Sequence, residues 1–259
     1  MSKPTIENLL KSLKQNKDAV IVIGEKCVSK DILKINEGTK DNYSRKKMIK
    51  NPKEFWKYYN DSIYNQNTSI SSAEEAINRL INTGTIKTVI NLNYTGNIKS
   101  VALLPTKIIE LKGNKNIVKC MSCEKETAIT NDILNSSKVV KCECGGKIAP
   151  TITMFGEKYK EKYVSEIKSS IFKEDNGTVE LNTHTIIFIG VDFEEDYMHE
   201  LIESFNAIKS QQGTNDHYCV MICEKDGVSI QYYQPEFATF EDIPASIDRL
   251  ISNLEGYNV

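Results

Sequence analysis

Four of the seven cysteines stand in two close pairs, Cys120-Met-Ser-Cys123 and Cys142-Glu-Cys144, with eighteen residues between them. Close pairs at such a separation are how a chain sets four thiolates around one tetrahedral zinc ion. The second pair has a single intervening residue, tighter than the usual knuckle. Gly145 and Gly146 follow at once and supply the backbone freedom a tight knuckle needs. Cys120, Cys123, Cys142 and Cys144 are therefore the expected metal ligands. Whatever the flanking segments fold into must house a small zinc module.

The flanks read as alternating helices and strands. Ile6, Leu9, Leu10 and Leu13 recur at helical spacing, and Ala19–Ile23 is a continuous apolar run ending at Gly24, the pattern of a buried parallel strand. Asn51-Pro52 opens a helix carrying Phe55, Trp56, Tyr58, Tyr59 and Ile63, an aromatic set suited to a satellite core. Ser72-Ala-Glu-Glu75 matches a capping box for a helix that stops at Gly84. Strands are expected at 88–90, 108–111, 186–189, 218–222 and 228–233, with helices at about 196–209 and 244–254. Residues 25–50 are polar and lysine-rich without clear periodicity.

This order predicts an α/β fold: a Rossmann-like parallel sheet with helices on both faces, interrupted by an inserted zinc module and a helical segment. Ligands of such sheets bind beyond the strand C-termini. Here those ends are Gly24-Glu25-Lys26, Asn91 to Gly96, Lys112-Gly113 and Gly190-Val191-Asp192.

Composition narrows the partners. With a formal net charge of −2, no global basic field draws the chain to nucleic acid or membrane. No stretch approaches the roughly 18 apolar residues of a membrane span, and no apolar run follows the first lysine as in a signal peptide. An odd cysteine count, with Cys27, Cys219 and Cys223 as free thiols, suits a reducing compartment, so a cytoplasmic location is expected.

Several motifs in order resemble the sirtuins, the NAD-dependent protein deacylases. Ile109-Glu-Leu-Lys-Gly113 precedes the first cysteine pair; Cys-x-Cys-Gly-Gly146, Pro150 and Phe155-Gly-Glu157 follow. Asn51-Pro-x-x-Phe-Trp56 is similar to the family's helical segment. Val89 to Gly96 is similar to its Val-Ile-Thr-Gln-Asn-Ile-Asp-Gly loop, and Ile187-Phe-Ile-Gly190 to the strand before its Gly-Thr-Ser. The resemblance implies a discontinuous large domain of residues 1–40, 73–117 and 151–259 with a small domain made of 41–72 and 118–150. It also implies cofactor contacts at Gly24, Asn93 and Gly190, and an acyl-peptide groove flanked by Phe155, Gly156 and Glu157.

The chemistry departs from the family. Its Gly-Ala-Gly-x-Ser loop becomes Gly24-Glu25-Lys26, its glutamine and aspartate become Leu92 and Thr95, and Lys112 stands at its catalytic histidine. An ordinary lysine, with a pKa near ~10.4, is protonated at neutral pH and is no base. Gly-Thr-Ser becomes Gly190-Val-Asp192, followed by Glu194, Glu195 and Asp196. His184, His199 and His217 lie away from the expected strand C-termini. These departures put NAD binding in doubt and predict an internal salt-bridge network filling the pocket. The reading is a catalytically impaired sirtuin-like zinc protein that binds a protein, peptide or nucleotide-like partner. The alternative is an active, divergent NAD-dependent deacylase or ADP-ribosyltransferase. A zinc-module nucleic-acid binder is the lesser alternative: six lysines stand against three glutamates between 99 and 126, yet no aromatic interleaves them.

Overall fold

The structure is a computed structural model that describes residues 5–28, 37–66, 69–98, 106–191, 196–213, 216–223, 235–239 and 242–257. The expected strand at 228–233 and the acidic residues Asp192, Glu194 and Glu195 lie outside the described residues.

Helix α1 (Ile6–Asn16) starts at Thr5, whose hydroxyl accepts from the Asn8 amide, and turns Leu9, Leu10 and Leu13 inward. Strand β1 (Ala19–Ile23) is buried along its whole length. After α2 (Arg45–Lys50) and α3 (Pro52–Tyr59) comes α4 (Ser72–Asn82), which leads into β2 (Ile86–Asn91) and β3 (Lys107–Glu110). The zinc-type segment forms β4 (Ile117–Cys120), β5 (Glu126–Ala128), the short α5 (Asn131–Leu134) and β6 (Ile148–Pro150). Helix α6 (Glu161–Ile171) then runs into a hairpin, β7 (Phe172–Asp175) and β8 (Thr178–Leu181). Last come β9 (Thr185–Ile189), α7 (Asp196–Gln212), β10 (Tyr218–Ile222), β11 (Phe237–Thr239) and α8 (Ile243–Gly256).

Six strands make one parallel sheet in the order β11-β10-β9-β1-β2-β3. Alternate side chains feed two cores. Ile21, Ile23, Val89, Ile187 and Ile189 pack on one face with α1, α4 and α8. Val20, Val22, Ile90, Phe188 and Met221 pack on the other with α6 and α7. Burial on both faces is what makes these strands read as unbroken apolar runs.

A third core joins the helical segment to the zinc-type module. Tyr43, Met48, Phe55, Trp56, Tyr59 and Ile63 pack with Val118, Ile129, Leu134 and Ala149. The expected satellite core is thus shared between two segments far apart in sequence. Phe55 meets Trp56 edge-on, with ring centroids 5.2 Å apart.

The helix cap lies one residue earlier than expected. Ser71, not Ser72, accepts from the Glu74 amide, and the Glu74 carboxylate accepts from the Ser71 amide. Both serines satisfy the S-x-x-E pattern. Burial decides between them: Glu74 turns into the protein, 1% exposed, and Ser71 also donates to the Cys27 carbonyl at 2.6 Å.

Candidate functional site

Strand order reverses between β1 and β9, and the crevice beyond their C-termini is where such sheets place ligands. Gly24 and Gly190 meet there. A Cβ on Gly24 would stand 2.1 Å from the Gly190 oxygen, so only glycine fits. Gly190 adopts φ +58 and lies against the Cys27 sulfur, where its own Cβ would be 2.7 Å away. The Gly24 amide donates to Ile189 O at 2.8 Å, Lys26 to Gly190 O at 3.1 Å and Cys27 to Gly24 O at 3.2 Å. Three amides of the first loop are therefore engaged within the chain.

The β2 exit lies alongside. Asn93 donates its side-chain amide to the Gly24 carbonyl at 3.0 Å, and its backbone amide donates to Asn91 Oδ1. Thr95 donates to Glu74 Oε1 at 2.9 Å, and Asn97 donates to Glu74 Oε2 at 3.0 Å. A carboxylate is thus present beside Thr95, supplied by α4. Sequence reading passed over Glu74 because it assigned the cap to the neighbouring serine.

Beyond β3, the ammonium of Lys112 donates to Glu25 Oε1 at 2.7 Å. This ion pair spans from the β3 exit to the β1 exit, with Lys112 17% and Glu25 35% exposed. Tyr94 borders it: burial first, and then the Glu25 charge, pushes its phenol well above the usual range. The carbonyl of Lys112 accepts from Thr153, and Gly113 adopts φ +90 where a Cβ would run into Thr151. The β3 exit is therefore fixed to the segment leading to Phe155, Gly156 and Glu157.

In that segment the Phe155 amide donates to Tyr43 O at 3.2 Å, and Gly156 adopts φ +79. Glu157 accepts from Arg45 Nε at 2.6 Å, tying the loop to α2. His184 and His217 instead lie at the N-terminal ends of β9 and β10. Their rings stack at 4.8 Å, and His184 bonds Asp18 at 2.7 Å.

The four cysteines come together. All four sulfurs lie within 4.8 Å of one another, with Cys120–Cys144 at 3.5 Å and Cys123–Cys142 at 3.8 Å. Zinc–thiolate bonds of about 2.3 Å in a tetrahedron put sulfurs about 3.8 Å apart, so the set fits such an ion. Backbone N–H groups of Cys123 and Ser122 favour the thiolate at Cys120, while hydrogen bonding among the four sulfurs pushes the Cys123 thiol up. Gly146 packs where a Cβ would be 2.6 Å from the Cys120 sulfur, so the knuckle needs glycine for space as well as for flexibility.

A parallel α/β sheet with an inserted four-thiol module, and a crevice between the first and fourth of its sequential core strands, defines the class. The sequence model of the Sir2 family matches residues 27–184, and the chain belongs to that family. An NAD-dependent protein deacetylase of Thermodesulfovibrio yellowstonii is 35% identical over 115 residues, covering 42% of this chain and 44% of its own length. One of Sulfurisphaera tokodaii is 31% identical over 112 residues, with the same two coverages. One of Cutibacterium acnes is 21% identical over 143 residues, 55% of this chain and 53% of its own. The chain thus matches about half or less of these relatives' length. Among solved structures, one concerned with the structural basis of sirtuin substrate affinity superposes with a TM-score of 0.70 at 20% identity, covering 98% of this chain and 100% of that one. A Sir2 homolog–NAD complex superposes with a TM-score of 0.67 at 18% identity, covering 98% and 95%. At those identities the likeness is one of fold.

Proposed function

We propose that this chain is a catalytically impaired Sir2-family protein that acts by binding a protein or peptide segment, with zinc as the structural ion of its four-cysteine module. The observation that carries the reading is the Lys112–Glu25 ion pair at 2.7 Å. Lys112 occupies the position of the family's histidine, and its ammonium is turned to a carboxylate. A protonated amine held this way has no lone pair with which to take a proton.

The first loop does not fit a dinucleotide held in the family's manner. The amides of Gly24, Lys26 and Cys27 donate within the chain, and Glu25 brings negative charge to the path of a pyrophosphate. Anion sites at strand exits depend on unengaged N–H donors and a positive field, and this loop supplies neither in quantity.

Peptide binding makes smaller demands. An extended segment pairs through main-chain groups and needs no catalytic base. Phe155, Gly156 and Glu157 are the residues for that role, held in place by Tyr43 and Arg45. Two solved neighbours are bound to peptides, Sir2Tm to a propionylated one and a Sir2 to an acetylated one, which supports the partner class.

A second reading, an active NAD-dependent deacylase, is favoured by the relatives at 31% and 35% identity that carry that activity in their names. It also draws on Asn91, fully buried with a side-chain N–H that finds no acceptor among the described residues, beside the Asn93 that the motif retains. Deacylation of an acyl-lysine peptide in the presence of NAD separates the two. The proposal expects no turnover by the wild-type chain, with peptide binding that is indifferent to NAD. Turnover lost on Lys112→Ala would establish the second reading.

A further inference from the structure

Helices α2 and α3 carry Arg45, Lys46, Lys47, Lys50, Lys53 and Lys57 against a single carboxylate, Glu54, in a chain whose formal net charge is −2. Two of these cations are engaged. Arg45 pairs with Glu157, and Lys47 pairs with Glu54. Lys46, Lys50, Lys53 and Lys57 are exposed, and none forms an ion pair with a described residue. Lys46 and Lys50 are four apart on α2, as are Lys53 and Lys57 on α3, so each pair shares one face of its helix. The opposite faces bury Met48, Phe55, Trp56 and Tyr59, which fixes the lysines outward. Ile49 stands among them 38% exposed, an apolar side chain on a cationic surface.

We infer that this outer face of α2 and α3 is a docking surface for an acidic peptide segment of a partner protein. The inference rests on the peptide-binding reading above, because the face adjoins the proposed groove. Arg45 begins α2 and holds Glu157 of the groove loop, and its guanidinium reaches the sulfur of Met121, itself 37% exposed.

Charge decides for carboxylates, and two features decide against nucleic acid. Every large aromatic of this segment faces inward or is half-buried, so no ring is presented for base stacking. The chain as a whole is acidic, with a sequence pI near 6.0, which opposes a long polyanion while leaving a local cationic patch available to a short acidic one. Ile49 adds an apolar contact that a phosphate backbone has no group to match.

The test is fluorescence anisotropy on the intact chain with three labelled probes: a twelve-residue Asp/Glu peptide with two leucines, its Lys/Leu counterpart, and a single-stranded oligonucleotide. The expected result is binding of the acidic peptide alone, weakened about tenfold by Lys46→Glu/Lys50→Glu/Lys53→Glu and by raising salt from 50 to about 300 mM. These positions are exposed, so the triple variant is expected to keep the wild-type melting temperature. Tighter binding of the oligonucleotide, lost in the same variant, would overturn the proposal in favour of nucleic acid. Acidic-peptide binding that the variant leaves unchanged, or no binding of any probe, would overturn it in favour of a merely solvated face. An acyl-lysine peptide without acidic residues, run in parallel, reports on the groove itself, so failure of the groove reading shows separately from failure of the basic face.

Discussion

At the residue scale, four positions carry the most testable consequences: Lys112, Glu25, Gly24 and Glu110. The pairing of Lys112 with Glu25 is partly exposed, so its worth is modest: a double-mutant cycle of Lys112→Met and Glu25→Gln is expected to give a coupling of about 1 kcal/mol. A coupling indistinguishable from zero would mean that the pair does not persist in solution. Gly24 has no latitude, since a Cβ would strike the Gly190 backbone at 2.1 Å. Gly24→Ala is expected to cost about 3 kcal/mol in urea denaturation. Burial holds the Glu110 carboxyl up at about 6, against 4.5 for an ordinary glutamate, with the Asn114 amide opposing and Glu126 adding to the rise. The folded state therefore binds the proton more firmly, and stability falls as pH rises from about 4.5 through about 6. Glu110→Gln is expected to stabilise the chain by about 1–2 kcal/mol at pH 7 relative to wild type and to change little at pH 4, where both forms are neutral. Equal differences at the two pH values would show that Glu110 is not raised.

At the scale of elements, the zinc-type module and α2–α3 stand or fall together because they share one core. Trp56, the single tryptophan, is 1% exposed and packs in that core with Val118, Ile129 and Ala149 of the module. Chelation of the metal, or Cys123→Ser, is expected to red-shift Trp56 emission and lower the melting temperature by about 10 °C. Unchanged emission after chelation would mean that the aromatic core holds without the metal. The gathering of the four cysteines was legible from spacing alone, since two cysteine pairs have few other uses. Helix α2 was not, because Arg45–Lys50 has only Met48 as an inward apolar residue and six residues give no periodicity to count. The hairpin at 172–181 was missed as well; its strands are largely exposed, so alternation of apolar and polar residues does not mark them. Asn176-Gly177, both with positive φ, was the available signal.

At the scale of the whole molecule, the central strands β1, β9 and β10 could be read in advance because they are buried along their whole length and announce themselves as apolar runs, whereas the short, partly exposed β11 does not. The crevice at the sheet's switch point lies beyond strand ends that the sequence had marked. Its contents were legible only in part: the lysine and glutamate were visible as departures from the family's motif, but that they meet at 2.7 Å depends on how β1 and β3 bring their exits together across β2. The engagement of the Gly24, Lys26 and Cys27 amides was beyond reach, since it depends on Gly190 arriving from a strand more than 160 residues later in the chain. The scaffold of the Sir2 family is retained, and an ion pair between Lys112 and Glu25 spans the crevice at the strand exits.

The central claim is that this crevice no longer receives a dinucleotide, and calorimetric titration of the zinc-loaded protein with NAD, and separately with ADP-ribose, tests it most directly. The account predicts no heat of binding and no thermal shift with either ligand at about millimolar concentration, where any affinity near 1 mM contributes measurably. Binding of either at micromolar concentration would contradict it, and would show that Glu25 and Lys112 part to admit the ligand.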